Sequence, residues 1–426
     1  MPADQGHVLA LHKLWRIQPH GYLHLHRFDH QCVSADGQPE VAGAENTVRN
    51  IVIACGGTGG HLTPGIALAQ SLEEKGCPSW LFISQKAVDS RLSSKYPKLS
   101  FVSMPGAPLI KSPMGLARFG HGFLFSFLRS YRFYKKIGAD GLVGFGGFSS
   151  FGPAMAARAR GMPVFIHEAN RAVGKAVRFL ARRSTRLYLP EGMQLEGISP
   201  EIIRNVGYPL RQEFRRMPRE RARKHLGIPQ GDRLLVVLGG SQGAVSLNRW
   251  VKGNIEALAL EGISTYCLTG MNNESSGVVQ LAGPMGQTIN SRFVPFTDEM
   301  NVVLSAADLV LSRAGAGAIS EIVRCRVPSI LVPYPYAADN HQHLNANYLE
   351  RKGGGIVCLE EKLEKNLLEE VREVMFNEEF RAILRRNLFA LDSGDVAGRL
   401  AGDVIDCLKD RPAGDPLQGG ILRMVG

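Results

Sequence analysis

The sequence predicts an α/β protein built from two Rossmann-like domains, each a doubly wound parallel sheet, facing one another across a cleft. Three observations carry that prediction. First, Asn50-Ile-Val-Ile-Ala reads as a buried strand that runs into Gly56-Gly-Thr-Gly-Gly-His61 and then into a helical pattern through Leu72, the order strand, glycine turn, helix. Second, that order returns about 180 residues later, where Arg233-Leu-Leu-Val-Val-Leu runs into Gly239-Gly-Ser-Gln-Gly-Ala244 and a helical stretch at 247–258. Third, strand-like runs at 80–84, 141–145, 164–167, 265–269, 309–312 and 329–333 alternate with helical segments. Such alternation builds parallel sheets with helices on both faces.

A chain of 426 residues with 44% hydrophobic and 21% charged content is long enough for two ordinary domains. The expected organisation is an N-terminal extension at 1–46, a first domain at 47–207, a second at 208–385, a C-terminal helix at 386–410 packing back on the first domain, and a disordered tail at 411–426. The hinge belongs near 205–211, where Gly207 and Pro209 break any helix. Ligands of such folds sit at the carboxyl ends of the strands, so the active site belongs in the cleft.

The seven cysteines are scattered and form no C-x-x-C pair, as expected of a reducing compartment. No stretch reaches the roughly 18 apolar residues of a membrane span; the longest uncharged run, 141–157, is rich in glycine and carries Pro153. Residues 1–45 lack the apolar core of a signal peptide and hold six of the twelve histidines, His7, His12, His20, His24, His26 and His30. Their spacing matches no ligand motif, so a dispensable tail is a simpler reading than a metal site.

The net charge of +11 is localised. Residues 104–136 carry six basic and no acidic side chains, and residues 157–186 carry eight basic ones against Glu168 alone. A basic face suggests an anionic partner: nucleic acid, phospholipid headgroups or a pyrophosphate substrate. Within it, 119–136 reads as an amphipathic helix with Phe119, Phe123, Phe127, Tyr131 and Tyr134 on one face and Arg129, Arg132 and Lys136 on the other. The aromatic face either joins the core or docks on a membrane, with the loop at 104–111 beside it. No nucleic-acid-binding module is recognisable.

A glycine turn at a helix N-terminus exposes N–H groups and the positive end of the helix dipole, which suits a phosphate or pyrophosphate; alternatively, its glycines serve only packing. Neither copy is G-x-G-x-x-G, and the strand at 80–84 leads to Gln85 and Lys86 with no acid for a ribose, which argues against a dinucleotide dehydrogenase. Ser312-Arg-Ala-Gly-Ala-Gly-Ala-Ile-Ser-Glu321 is another strand-to-helix junction. Its carboxylate either accepts both ribose hydroxyls of a nucleotide or faces solvent. Pro333-Tyr-Pro-Tyr-Ala-Ala-Asp-Asn-His-Gln-His-Leu-Asn345 gathers amide and imidazole groups able to read sugar hydroxyls.

Taken in order, Gly56-Gly-Thr-Gly-Gly-His61, Gly146-Gly-Phe148, His167-Glu-Ala-Asn170, Gly207-Tyr-Pro-Leu-Arg211, Gly239-Gly-Ser-Gln-Gly243, the 312–321 run and Asp339-Asn-His-Gln342 resemble the motif set of the MurG family of GT-B glycosyltransferases, over residues 48–405. The resemblance implies an inverting transfer of N-acetylglucosamine from UDP-N-acetylglucosamine to an undecaprenyl-pyrophosphate-linked muramoyl acceptor, without cofactor or metal. It implies a peripheral position on the cytoplasmic face of the plasma membrane, an anionic membrane surface as partner, and no nucleic acid. Arg211 and Ser241 then meet the UDP phosphates with Gln242 beside them, Ala316 and Glu321 the ribose side, the backbone near Phe296 and Thr297 the uracil, and Gln342 with Asn170 the transferred sugar. Thr58, Gly59, Gly60, Gly146, Gly147, Phe148 and His167 fall to the acceptor.

His61 is the first choice for general base, since an imidazole titrates near working pH, with Glu168 in reserve; His61 could also simply hydrogen-bond its loop. Ala169, Phe148, His341 and Ala318 stand where the family commonly has Gln, Tyr, Gln and Thr. No D-x-D pair, the metal signature of the other major glycosyltransferase class, occurs. A UDP-N-acetylglucosamine 2-epimerase and a non-catalytic nucleotide-sugar-binding subunit are the alternatives.

Overall fold

The computed structural model describes residues 49–57, 59–105, 113–240, 242–271 and 276–410. The N-terminal histidines, Thr58, Ser241, most of the 104–111 loop and the tail from 411 lie outside those residues.

The first sheet comprises β1 (Ile51–Ala54), β2 (Ser79–Ile83), β3 (Ser100–Ser103), β4 (Gly141–Gly144), β5 (Val164–His167), β6 (Arg186–Leu189) and β7 (Ile203–Asn205), in the order 3-2-1-4-5-6-7 with every pair parallel. The second comprises β8 (Arg233–Leu238), β9 (Ile263–Leu268), β10 (Gly277–Ala282), β11 (Thr288–Val294), β12 (Leu309–Ser312), β13 (Ser329–Leu331) and β14 (Ile356–Val357), ordered 10-11-9-8-12-13-14. Only the β10–β11 pair is antiparallel. That hairpin lay outside the sequence expectation, because β10 is a mostly exposed edge strand without the buried apolar run of the others.

Helices α1 (Gly59–Glu74), α2 (Ala87–Ser93), α3 (Pro113–Ile137), α4 (Phe151–Ala159) and α5 (Lys175–Ala181) belong to the first half. The second half carries α6 (Arg219–Leu226), α7 (Val245–Leu260), α8 (Met300–Ala306), α9 (Ala316–Cys325), α10 (His341–Arg351), α11 (Leu363–Phe376), α12 (Glu378–Leu391) and α13 (Val396–Lys409). Continuous apolar runs suit strands covered on both faces. In β8, Leu234, Val236 and Leu238 join the core under α6, α8, α9 and α10, while Leu235 and Val237 join the opposite core under α7 and α11.

The stretch 386–410 is not one helix. Leu384 and Leu388 of α12 pack in the second domain, and α13 alone returns, burying Leu400, Ala401, Val404 and Leu408 against β1 and α1. Asp403 of α13 accepts a hydrogen bond from the Tyr188 hydroxyl at 2.6 Å.

The α3 helix also departs from expectation. Tyr134 is fully buried and stacks on Phe82, but Tyr131, expected on the same face, is exposed, as are Leu124, Phe125 and Leu128. A Cβ on Gly152 of α4 would lie 2.8 Å from the Ser126 hydroxyl, so the two helices are in close contact there. The buried seam therefore follows Ser126, Ser130 and Tyr134 at four-residue steps, and Tyr131 lies about 100° around the helix from Ser130. Among the described residues no helix is long and apolar enough to cross a membrane.

Asp308, just before β12, ties the second domain together. Its Oδ2 accepts from the Leu234 amide at 2.9 Å and from the fully buried Arg223 guanidinium at 2.7 Å, and Arg219 pairs with Oδ1 at 2.5 Å. Arg223 also donates to the carbonyls of Ala306, Pro229, Gln230 and Asp232. Removing one member of such a buried pair strands the other charge. Asp308→Ala is expected to lower stability by about 3–5 kcal/mol, read from urea unfolding.

Candidate active site

In each sheet the strand order reverses beside the first strand, between β1 and β4 and between β8 and β12. The loops leaving those strands form the crevice. Gly56 follows β1, and a Cβ there would lie 2.3 Å from the Ser84 amide nitrogen, so no other residue allows this approach. Gly146 and Gly147, at φ 77° and 73°, follow β4 in left-handed backbone. The ring of His61, in the first turn of α1, lies against them: a Cβ on Gly147 would be 3.2 Å from its Cε1. Ser149 donates to the Gly56 carbonyl and closes the β4 loop onto the β1 loop.

Burial pushes the His61 imidazole below its ordinary pKa; Asp89 pulls it back, while Lys86 and His341 push it further down. His341 opens α10, so the electrostatic surroundings of His61 come from both domains. Glu168 is more committed. Its Oε1 accepts from the Asn170 amide at 2.9 Å and from the Asn170 side chain at 3.2 Å, and its Oε2 from the Gly174 amide at 3.2 Å. Burial raises its pKa, with those bonds opposing. The carboxylate shapes the 168–174 loop. His167 is buried beneath the hinge, its Nε2 3.3 Å from the Gly207 carbonyl and its pKa pushed down to about 4 by burial.

On the second domain, a Cβ on Gly243 would lie 2.1 Å from the Thr269 carbonyl, and one on Gly270 would lie 2.4 Å from the Gly243 amide. The loops after β8 and β9 thus interlock backbone to backbone. Gln242 is exposed on that turn, Ala316 opens α9, and Phe148 opens a short 3₁₀ turn. Glu321 of α9 is half-buried, its pKa pushed up to about 7 by burial and held back by Arg211. Gln342 of α10 accepts at Oε1 from the amides of Ala314 and Tyr334, at 3.2 and 2.9 Å. Thr297 accepts from the Glu299 amide at 3.1 Å.

Several side chains absent from the sequence-based site bridge the domains. The Tyr208 hydroxyl donates to the Gly60 carbonyl at 3.0 Å and lies 2.7 Å from the Thr63 hydroxyl, while Gly317 packs against the same ring. One hinge tyrosine thereby joins the first turns of α1 and α9. Asn345 donates to Asn170 Oδ1 at 3.1 Å and to the Ala314 carbonyl at 3.2 Å, and accepts from the Arg171 amide at 2.9 Å. The Arg171 guanidinium lies 3.7 Å from the Tyr348 ring centroid. Arg211 donates to the Tyr96 hydroxyl at 2.8 Å, and from α2 Arg91 lies 4.6 Å from the Phe296 ring centroid. Tyr208 and Asn345 stood inside quoted motifs; what distinguished them was contact across the hinge, which has no signature in spacing.

Two family models match this architecture. One described as "Glycosyltransferase family 28 N-terminal domain" matches residues 51–189, and "Glycosyltransferase family 28 C-terminal domain" matches 234–396. A relative from Opitutus terrae, named UDP-N-acetylglucosamine:N-acetylmuramyl-(pentapeptide) pyrophosphoryl-undecaprenol N-acetylglucosamine transferase, is 45% identical over 83% of this chain and 93% of its own. The chain belongs to glycosyltransferase family 28. A family 28 relative of the same name from Prochlorococcus marinus is 33% identical over 80% of this chain and 90% of its own. The crystal structure of Acinetobacter baumannii MurG, 22% identical, shares the fold with a TM-score of 0.61, covering 85% of this chain and all of that one. The two facing parallel-sheet domains of this family 28 glycosyltransferase are the GT-B arrangement.

Asn345→Ala removes two bonds across the cleft of the family 28 enzyme, to Asn170 and Arg171, and a third within the second domain, to Ala314. Leaving those groups unpaired costs about 1–3 kcal/mol. The expected result is a lower melting temperature and a wider interdomain distance distribution by paired spin labels.

Proposed function

We propose that this chain transfers N-acetylglucosamine from UDP-N-acetylglucosamine to the 4-hydroxyl of the muramoyl sugar of undecaprenyl-pyrophosphoryl-MurNAc-pentapeptide. The 45% identity to a curated transferase of that name supports the reaction. The observation that carries the mechanism is the seat of His61, on the glycine loops at one switch point with His341 of the facing domain among its electrostatic neighbours.

In this reading His61, depressed by burial and therefore neutral at working pH, accepts the proton of the acceptor hydroxyl. The hydroxyl oxygen bonds to the anomeric carbon as the bond from that carbon to the UDP oxygen breaks, and attack from the opposite face inverts the centre to a β1,4 linkage. The leaving diphosphate meets Arg211, Ser241 and the N–H groups of the 239–243 turn, which supply charge stabilisation in place. Glu321 holds the ribose beside Ala316, the backbone at Phe296 and Thr297 the uracil, and Gln342 and Asn170 the sugar. Gln342 suits this role because its carbonyl is committed to two backbone amides, leaving its NH₂ group to donate. Gly59 and Gly60 of α1, with Thr58, Gly146, Gly147 and Phe148, form the acceptor side. Glu168 positions Asn170, and His167 braces the hinge beneath the acceptor loop.

Exposed Met114, Leu124, Phe125 and Leu128 on α3, with Phe179 of α5, lie among Arg118, Arg129, Arg132, Lys135 and Lys136. We read that face as the contact with an anionic membrane on the side where the acceptor headgroup is exposed. Each basic residue contributes about 1 kcal/mol near such a surface, enough together for reversible binding.

The decisive assay supplies labelled UDP-N-acetylglucosamine with the lipid-pyrophosphate muramoyl acceptor. Labelled disaccharide-lipid, with UDP released only when acceptor is present, is expected; UDP-sugar epimerised without acceptor would favour the 2-epimerase. His61→Ala should lower kcat by about 10²–10⁴-fold, the range for general base catalysis.

Glu321 yields a pH test. Its carboxyl, raised to about 7, must ionise to accept the ribose hydroxyls. Protonation below that value therefore opposes binding, and UDP affinity should fall as pH drops through 7, levelling off at the affinity of the neutral side chain. Glu321→Gln should bind UDP about 5–100-fold more weakly at pH 8, with the pH dependence gone, by titration calorimetry.

A further inference from the structure

We propose that Asp89 is a positioning residue for the transfer: it fixes the glycine loop beside His61 and supplies the counter-charge for that imidazole when it takes the acceptor's proton. The inference rests on the reading of His61 as base. Asp89 lies in the first turn of α2 rather than directly after β2.

The geometry is specific. Asp89 has no exposed surface, and its Oδ2 accepts from the Gly57 amide at 3.0 Å, the Ser84 amide at 2.9 Å and the Ser84 hydroxyl at 2.6 Å. Lys86 donates to the Gly57 carbonyl at 2.7 Å. Gly57, at φ 116°, is therefore held through both its N–H and its C=O. Oδ1 is buried without a hydrogen-bond partner, and no ion pair among the described residues includes Asp89. A carboxylate withdrawn from water is costly unless something uses its charge.

Loop geometry alone does not require that charge. In the second domain the loop after β9, against which Gly243 packs, is held by a neutral amide, Asn248 Nδ2 donating to the Thr269 carbonyl at 2.9 Å. What separates the two loops is His61. The titratable groups acting on it are Asp89 beneath its loop, Lys86 beside Asp89, His341 of α10, and His167 at the end of β5, which it influences in turn. Asp89 is the single anion of that set. When the hydroxyl proton moves to the imidazole, the new cation forms away from water among two further histidines and a lysine, and the Asp89 carboxylate offsets it. No proton passes to Asp89.

Asp89→Asn removes the charge and keeps the shape, and Asp89→Ser is a second neutral replacement should the amide not fit. Ser84→Ala removes one bond to the same carboxylate and leaves its charge. The readouts are the pH profile of kcat/KM for the acceptor and the His61 ring titration by NMR, in the full chain. In the neutral variants both the acidic limb and the ring titration should move down by about one pH unit, the low end of the effect of a neighbouring opposite charge. The plateau should fall about tenfold with KM for UDP-N-acetylglucosamine unchanged, whereas Ser84→Ala keeps the wild-type limb. A folded neutral variant whose ring titration stays in place overturns the proposal and leaves Asp89 as a loop brace. A ring titration that moves while the limb stays upholds the coupling and overturns His61 as the base.

Discussion

The hydrogen bonds of one buried hydroxyl, that of Tyr208, connect the two halves of the site. The hinge brings this ring between the first turns of α1 and α9, where it holds the Gly60 carbonyl and Thr63 on one side and packs against Gly317 on the other. The first-turn N–H groups of both helices have no intrahelical partner and carry the positive end of the helix dipole. Without a fixed spacing between them, two anion-seeking helix ends would be only two separate loops. Asn345, reaching Asn170, Arg171 and Ala314 together, repeats the bridging from α10.

Behind that junction, each sheet uses glycine where backbone must touch backbone or ring. Gly56 on Ser84 and Gly243 on Thr269 leave no room for a side chain, and Gly147, in left-handed backbone, lets the His61 ring come close. The two glycine loops are alike in this respect and differ in support. The first-domain loop rests on a buried carboxylate and leads into His61; in the second domain a neutral amide instead holds Thr269, against which Gly243 packs. In the proposed mechanism, a base that gains charge during reaction and a loop that receives charge from the substrate call for opposite surroundings.

The strands at 164–167 and 309–312 were legible to the residue, because a strand covered on both faces is an unbroken apolar run bounded by polar turns. The exposed β10 carries no such run. On α3 the aromatic spacing indicated one stripe, yet the buried seam followed the small residues Ser126 and Ser130, because the approach of α4 at Gly152 decided which face was covered. Glu168 looked like a candidate base by residue type, and both its oxygens are spent on local amides.

The chain by itself therefore determined the paired strand-turn-helix units, the glycines that those turns demand, and the family to which their order belongs. These depend on local backbone sterics and on periodicity, both of which are written into neighbouring residues. Only the tertiary structure decided which polar groups remain for a substrate, which carboxylates are used up in bracing loops, and which residues meet across the hinge. Those outcomes depend on burial and on partners more than 100 residues away, such as Thr63 for Tyr208 and Asn170 for Asn345, and no local pattern encodes a distance of that kind.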